Sequence, residues 1–395
     1  MRVKFFQEDK KAKKIKKNLL SSFNSILKTG QYTNGTYVEK FEKKFCQFIG
    51  TKNCIAVNSG TSALHLSLIA MGIKENDEVI LPAITFVASA AAITYVGAKP
   101  VFVDINEYDW LIDTYKIEKA ITKKTKAIMI VHPLGHVCDM EKIIKICKKH
   151  KLVLLEDTCE TIGAKYNNKF AGTFGLFSSI SFYQSHHISS VEGGMILTND
   201  NYYADIIRSM RANGWLREVT NKKNKKKIIN KYKSIDKSFM FPYIGFNFKP
   251  TDMSAALLNN QISKLNNFIK IRTKAAKELI RNLMRYRNYL ILPTINKNIK
   301  NSWFTFPIVV KKNSKFTKNQ LVKYLSKNQI ANRPIIAGNI AEQPFLNKFK
   351  FKKTDLSNSE IVMNSGFFIG LHHKLSENKV KKIVSVFDKF LKKKI

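Results

Sequence analysis

The chain is poor in acid, arginine, cysteine, glycine and proline. Against 68 Lys and Arg stand only 29 Asp and Glu in 395 residues, a formal net charge of +39. Only 9 of the basic residues are Arg. Readers of nucleic acid lean on Arg for bidentate contacts to bases and phosphates. Here the basic residues are overwhelmingly Lys, spread with Asn and Ile from end to end, so the charge reads as solvated surface. The densest run, Lys222–Lys233, reads as an exposed loop. With 17 Gly and 9 Pro, collagen-like and low-complexity classes are excluded. The five cysteines, Cys46, Cys54, Cys138, Cys147 and Cys159, form no C-x-x-C pair, and none follows Cys159. That excludes a disulfide framework or zinc ribbon and points to a reducing, cytoplasmic setting. The longest apolar stretch, Pro82–Ala98, is interrupted by Thr85, Ser89, Thr94 and Tyr95 and is too short for a membrane span. The first twenty residues lack an apolar core before a small-residue cleavage site, so no signal peptide is expected.

What is present is enough apolar material, 44%, for a substantial core. From about Asn53 to Leu155 short β-rich runs alternate with helical patterns: CIAVN, EVILP, PVFVD, AIMIV and LVLLE as strands, with GTSALHLSLIAMG, TFVASAAAITYVG and MEKIIKICKKH as helices. That alternation is the signature of a mostly parallel sheet covered on both faces. SSISFY and GGMILTN read as further strands of it. Two helical patterns follow, Thr251–Leu265 and Phe268–Arg287, then strand FTFPIVV, helix KNQLVKYLSKN and a final helix Glu377–Phe390. The expected architecture is α/β: a large sheet domain over 1–250, including N-terminal helices, and a smaller α/β domain over 251–395.

Three places carry candidate chemistry. Asn58-Ser59-Gly60-Thr61-Ser62 follows a strand and opens a helix. Gly60 lets backbone N–H groups approach an anion there, and Thr61 and Ser62 add hydroxyls; a simple helix cap is the competing reading. LVLLEDTCE ends a buried strand in Glu156-Asp157, with Glu160 beyond. Carboxylates at that end of a parallel strand face the crevice where α/β sheets bind ligands, and an Asp there can pair with a protonated pyridine nitrogen. A helix cap again competes. The third place is Ser181-Phe182-Tyr183-Gln184-Ser185-His186-His187-Ile188, followed by Glu192-Gly193-Gly194.

Taken together these stretches resemble the DegT/DnrJ/StrS sugar aminotransferases, which have the fold-type-I pyridoxal phosphate architecture. The family pattern is S-F-x-x-x-K, with a glutamate and two glycines about six residues later; here the fifth step from Ser181 lands on His186, and the Schiff-base lysine is missing. A histidine is largely neutral at pH 7 and can act as a base, but it cannot hold the cofactor covalently. The substitution resembles the family's nucleotide-sugar 3-dehydratases, and EDTCETIGAKYNNKFAGTFG, RANGW, GFNFKP, RPIIAGN and SGFFIGLHH extend the likeness over nearly the whole chain.

The resemblance implies noncovalent pyridoxal or pyridoxamine 5′-phosphate with glutamate as amino donor. Gly60, Thr61, Ser62 and Ser181 match the phosphate cradle, Phe86 the aromatic on the ring, Asp157 the partner of the ring nitrogen, and Glu160 the ring's oxygen side. His186 matches the lysine and is the catalytic base. Asn247 matches a residue reaching the neighbouring subunit's cofactor, which implies a homodimer with shared sites. Arg333, Trp215, Lys249 and His187 are candidate substrate or donor contacts. Lys249 stands where relatives usually carry Arg, and it lacks the bidentate fork. The implied reaction removes the C3 hydroxyl of a nucleotide-linked 4-keto-6-deoxyhexose, with GDP-4-keto-6-deoxymannose favoured. No metal, membrane or nucleic-acid partner is expected. The competing readings are a CDP-4-keto-6-deoxyglucose 3-dehydrase with an iron–sulfur cluster, a lysine-less non-catalytic relative, a nucleic-acid binder, and an aminotransferase using another lysine. The cluster's thiolates would lie mostly after the histidine pair, where this chain has no Cys.

Overall fold

The computed structural model describes residues 3, 4 and 13–395; part of the N-terminal stretch read for a signal peptide lies outside the described residues. The βα alternation folds as its pattern dictates. Strands β1 (Asn53–Val57), β2 (Glu78–Pro82), β3 (Lys99–Val103), β4 (Thr125–Val131), β5 (Val153–Asp157), β6 (Phe177–Ser181) and β7 (Gly194–Thr198) build one sheet in the order β1-β7-β6-β5-β4-β2-β3. Neighbours pair in parallel from β3 to β6. Only β7 runs against its neighbours, between β6 and β1. Every residue of β1, β2 and β7 is buried, as expected where helices cover both faces. The helix Gly60–Ala70 is apolar on most sides and has no exposed residue, whereas Met140–His150 buries only Met140, Ile143, Ile146 and Cys147 at helical spacing.

The later part of the chain carries strands β8 (Leu290–Ile291), β9 (Thr305–Val310), β10 (Asn332–Pro334), β11 (Lys352–Lys353) and β12 (Gly366–Gly370). Four of them form an antiparallel sheet in the order β8-β9-β12-β10, while β11 reaches back to pair in parallel with β3. Helices Leu265–Leu283, Lys318–Lys327 and Glu377–Lys394 close the second core over Phe306, Ile308, Phe367 and Ile369. Helix Asp252–Asn259 packs instead under the large sheet, with Ala255 and Leu258 against Phe41, Phe45 and Met195. The Asp252 carboxylate accepts from the backbone N–H of Gly35 (2.6 Å) and Tyr37 (2.8 Å), capping helix Thr36–Ile49, which has no side-chain cap of its own.

The Lys222–Lys233 run is corrected: Lys222–Lys231 is a helix. The Asn221 side chain accepts from the N–H groups of Lys223 and Asn224, and Ile228 and Ile229 pack on Leu216, Val219 and Met240. The lysines stay in solvent, so a charged run with two adjacent apolar anchors and a good cap folds where charge alone reads as loop. Among the described residues no helix is long and apolar enough to cross a membrane.

Candidate active site

A cavity of about 590 Å³ opens at the carboxyl ends of the parallel strands, a size suited to a small-molecule or cofactor site. Its first wall is the turn into helix Gly60–Ala70. Ser59 caps that helix by accepting from the Ser62 N–H at 3.1 Å, and Ser59, Gly60 and Thr61 line the cavity. The backbone is closely held: a Cβ on Gly60 would stand 2.9 Å from the Ser181 Cβ and 3.1 Å from the Cys159 Sγ. Ser62 is turned away, its hydroxyl engaged with Asn58, and it does not line the cavity. Its contribution to the turn is therefore a held geometry.

Strand alternation separates the two carboxylates that end β5. Asp157 faces the cavity, where its Oδ2 accepts from the Ser89 hydroxyl at 2.8 Å and its Oδ1 from the Ser179 hydroxyl at 3.3 Å. Glu156 points into the opposite layer, a correction to the reading that both enter the crevice. Its oxygens accept from the N–H groups of Gly172, Phe174 and Gly175 and from His132 Nε2 at 3.1 Å. Because His132 Nδ1 accepts from the Cys138 N–H, Nε2 carries the proton, and Glu156 is a satisfied structural anion. Glu160 lines the cavity and accepts from the Leu134 N–H at 2.8 Å. Burial pushes its carboxyl up to about 7, against the pull of that N–H; nearby Asp157 adds to the rise.

His186 stands on the loop after β6, its N–H bonded to the Tyr183 carbonyl at 2.9 Å. The imidazole packs against Phe304, ring centroids 5.2 Å apart. Its Nδ1 is fully shielded with no hydrogen-bond partner, which leaves Nε2 as the nitrogen open to the cavity. Burial, and then the charge of Arg272, lower its pKa to about 4, so the ring is neutral at pH 7. His187 does not line the cavity: it is buried, and its Nε2 donates to the Ser302 carbonyl at 3.0 Å.

Phe86 lines the cavity with 60% of its surface exposed, and among the described residues no aromatic ring packs on it. Ser181 and Arg333 complete the set that the structure brings together. Trp215 lies elsewhere, its Nε1 bonded to the Ser238 carbonyl at 2.7 Å and its ring under the Arg217 guanidinium. Asn247 and Lys249 are also outside this chain's cavity, and the Lys249 Nζ donates to the Asn247 Oδ1 at 2.7 Å. Sequence reasoning passed over Phe304 as a site residue, quoted Glu192 and Cys159 without assigning them a role, though all three line the cavity, and missed the two hydroxyls that hold Asp157. Ser89 is 68 positions from Asp157 and Phe304 is more than a hundred from His186, so no local pattern marks them.

The donor set fits a pyridoxal phosphate group. Asp157 is held by hydroxyls with its carboxylate at the cavity, a helix N-terminus and Ser181 supply anion donors, and an unstacked aromatic stands at the rim.

Comparison with known proteins agrees with this geometry. A GDP-4-keto-6-deoxy-D-mannose 3-dehydratase of Escherichia coli O55:H7 is 34% identical over 360 residues, covering 89% of this chain and 92% of that one. A crystal structure of a GDP-4-keto-6-deoxymannose-3-dehydratase variant with bound GDP-perosamine superposes with a TM-score of 0.88 at 32% identity, covering 97% and 99% of the two chains. Another, with a trapped PLP-glutamate geminal diamine, superposes with a TM-score of 0.84 at 32% identity over 93% and 96%. These structures have the fold-type-I α/β architecture described above. The profile of the DegT/DnrJ/EryC1/StrS aminotransferase family matches residues 13–388, and the chain belongs to that family.

Proposed function

We propose that this protein is a pyridoxal phosphate- and glutamate-dependent 3-dehydratase acting on a nucleotide-linked 4-keto-6-deoxyhexose, with GDP-4-keto-6-deoxymannose the favoured substrate. One observation carries the reading. A neutral imidazole with Nε2 open lines the cavity, and among the described residues no lysine lines it. A lysine-dependent aminotransferase has no amine there to use.

In this reading Asp157 faces the ring nitrogen and Phe86 the ring. The Gly60–Thr61 turn and Ser181 bind the phosphate, with Ser62 holding the turn. Glu160 stands at the ring's oxygen side. When bound, the aminated cofactor supplies a primary amine for the C4 ketone and a conjugated ring that accepts an electron pair. His186 takes up a proton at Nε2, which its depressed basicity leaves vacant, and donates that proton to the departing C3 hydroxyl. Glu160, with its carboxyl near 7, can hold a proton at working pH and donate a hydrogen bond. Phe304 covers the imidazole face and excludes water from it. Arg333 is proposed as a contact to the substrate.

Asn247 is exposed and lies off its own cavity, which supports a homodimer in which it serves the partner's site with Lys249. Trp215 is a candidate contact in the same way, whereas buried His187 is better explained as support for its neighbour. All five cysteines are free, in keeping with a cytoplasmic setting. We also read the chain as two units. The packing of helix Asp252–Asn259 under the large sheet supports a seam nearer residue 268 than the 250/251 division expected from sequence.

The test is incubation with pyridoxal phosphate, glutamate and a panel of nucleotide 4-keto-6-deoxy sugars, read by mass spectrometry. Loss of one oxygen from a GDP-linked substrate is expected. His186→Lys should abolish the loss; undiminished C3 deoxygenation in that variant sinks the assignment. Borohydride reduction of the wild type should leave no lysine-linked cofactor.

A further inference from the structure

Behind His186 lies a group that the proposed chemistry does not use. Arg272, on helix Leu265–Leu283, is buried with 2% of its surface exposed. Buried guanidinium groups normally meet a carboxylate. Here Nη1 donates to three backbone carbonyls instead: Trp303 at 3.2 Å, Phe304 at 2.8 Å, and Leu371. No salt bridge to Arg272 is present among the described residues.

These carbonyls belong to the junction between the two sheets. Trp303 and Phe304 precede β9, and Leu371 follows β12. The Phe304 N–H donates to the Leu134 carbonyl at 3.0 Å, and the Leu134 N–H donates to Glu160. Ser302 accepts from His187 and donates its N–H to Gly135. Gly135 has φ +88, and a Cβ there would stand 2.4 Å from the nitrogens of Trp303 and Phe304. The segment Ser302–Phe304 is therefore clamped on one side by the Leu134–Gly135 turn and on the other by Arg272, and its Phe304 ring lies on His186.

We propose that Arg272 is a positioning residue for His186: it fixes Phe304 against the imidazole through the Trp303 and Phe304 carbonyls and keeps a permanent cation behind the ring. This rests on the reading of His186 as the base. On the same loop as His186 stand Tyr183 and His187, and the Arg272 charge acts on both histidines and on His372, which follows β12. The cavity that His186 lines is shared with the carboxyls of Asp157, Glu160 and Glu192, the Cys159 thiol and the Arg333 guanidinium. Arg272 is itself buried, and its charge lowers the basicity of His186, His187 and His372 alike, in each case after burial. Its own pKa falls to about 10 through burial, so it stays charged at every working pH.

The test is NMR titration of the imidazoles in the cofactor-free protein, with His186→Asn used to assign the signal, a readout that needs no activity. In the wild type His186 should titrate near 4, well below the ordinary 6.5. Arg272→Met should move it upward by about 1 unit, the scale on which a neighbouring like charge acts. It should still titrate below 6.5, because burial is the larger cause. Arg272→Lys should keep the low titration but lower kcat for C3 deoxygenation several-fold at unchanged KM, because a point charge cannot span the carbonyls. A wild-type value at or above 6.5 overturns the proposal, as does a folded Met variant with an unmoved titration. If the Met variant does not fold, the wild-type titration and the Lys variant decide, and wild-type kcat in Arg272→Lys overturns it. Failure of the dehydratase reading would leave the titrations intact.

Discussion

The Gly193-Gly194 pair gives the sharpest test of how the sheet builds the phosphate turn. Gly194 opens β7 and pairs on one side with Val57 and on the other with Ser181, so it lies between the strand that delivers the turn and the strand that delivers the hydroxyl. A Cβ on Gly194 would stand 2.2 Å from the Ser59 carbonyl oxygen, 2.3 Å from its carbon and 2.7 Å from the Gly60 nitrogen, all backbone atoms. Reaching an ordinary 3.4 Å contact requires the 59–60 peptide to retreat by about 1.2 Å. That peptide carries the first N–H of the helix, that of Gly60. A displacement of about 1 Å in a positioning group costs on the order of 100-fold, and overpacking adds about 1–3 kcal/mol of instability. At Gly193 a Cβ would stand 2.9 Å from the Ser190 hydroxyl and in ordinary contact, at 3.4 Å, with the Phe182 side chain. The Ser190 side chain can rotate, giving up its bond to the Glu192 carbonyl at about 1 kcal/mol. Titrating each apoprotein with pyridoxal phosphate by absorbance should give Gly194→Ala a Kd raised about 100-fold and Gly193→Ala one within about fivefold of wild type. Both variants should remain folded by circular dichroism. Near wild-type affinity in Gly194→Ala, or a reversed order of the two, refutes the argument.

Glu160→Gln should stabilise the apoprotein at high pH. The folded carboxyl titrates near 7 against an ordinary 4.5, so the folded state binds the extra proton and stability falls as pH rises from 4.5 through 7. The penalty above pH 7 is on the order of 3 kcal/mol. Melting curves of the two proteins should therefore diverge across that window and coincide below it; a constant difference counts against the assignment. Lys249→Arg should lower the KM for glutamate several-fold with little change in kcat, because the fork can grip a carboxylate at two points; an unchanged KM removes Lys249 from the donor site. An iron chelator should leave activity untouched; its loss would favour the cluster-dependent reading.

Much of the architecture is a consequence of local pattern. Buried β-branched runs and helical spacings fix the order of strands and helices, since a strand apolar on both faces is stable only inside a sheet that is covered on both sides. Asp157 and Ser181 are legible because each ends a strand of that sheet, where ligands bind, and His186 because it falls on the lysine step of the family pattern. What the pattern does not contain is which side a residue faces once a strand ends, and what meets it from far along the chain. Glu156 and Asp157 are adjacent and chemically alike, yet only the pleat decides that one anchors a loop and the other faces the cavity. His186 and His187 are equivalent as sequence; the loop buries one on a carbonyl and leaves the other open. The lysine run became a helix through packing of Ile228 and Ile229.

The sequence by itself determined the sheet, the identity of the group that replaces the lysine, and the absence of any thiol after Cys159. Tertiary structure alone decided that this group is neutral, covered by Phe304 and backed by Arg272. Desolvation and through-space charge depend on distance and burial, and neither is encoded at any one position in the chain.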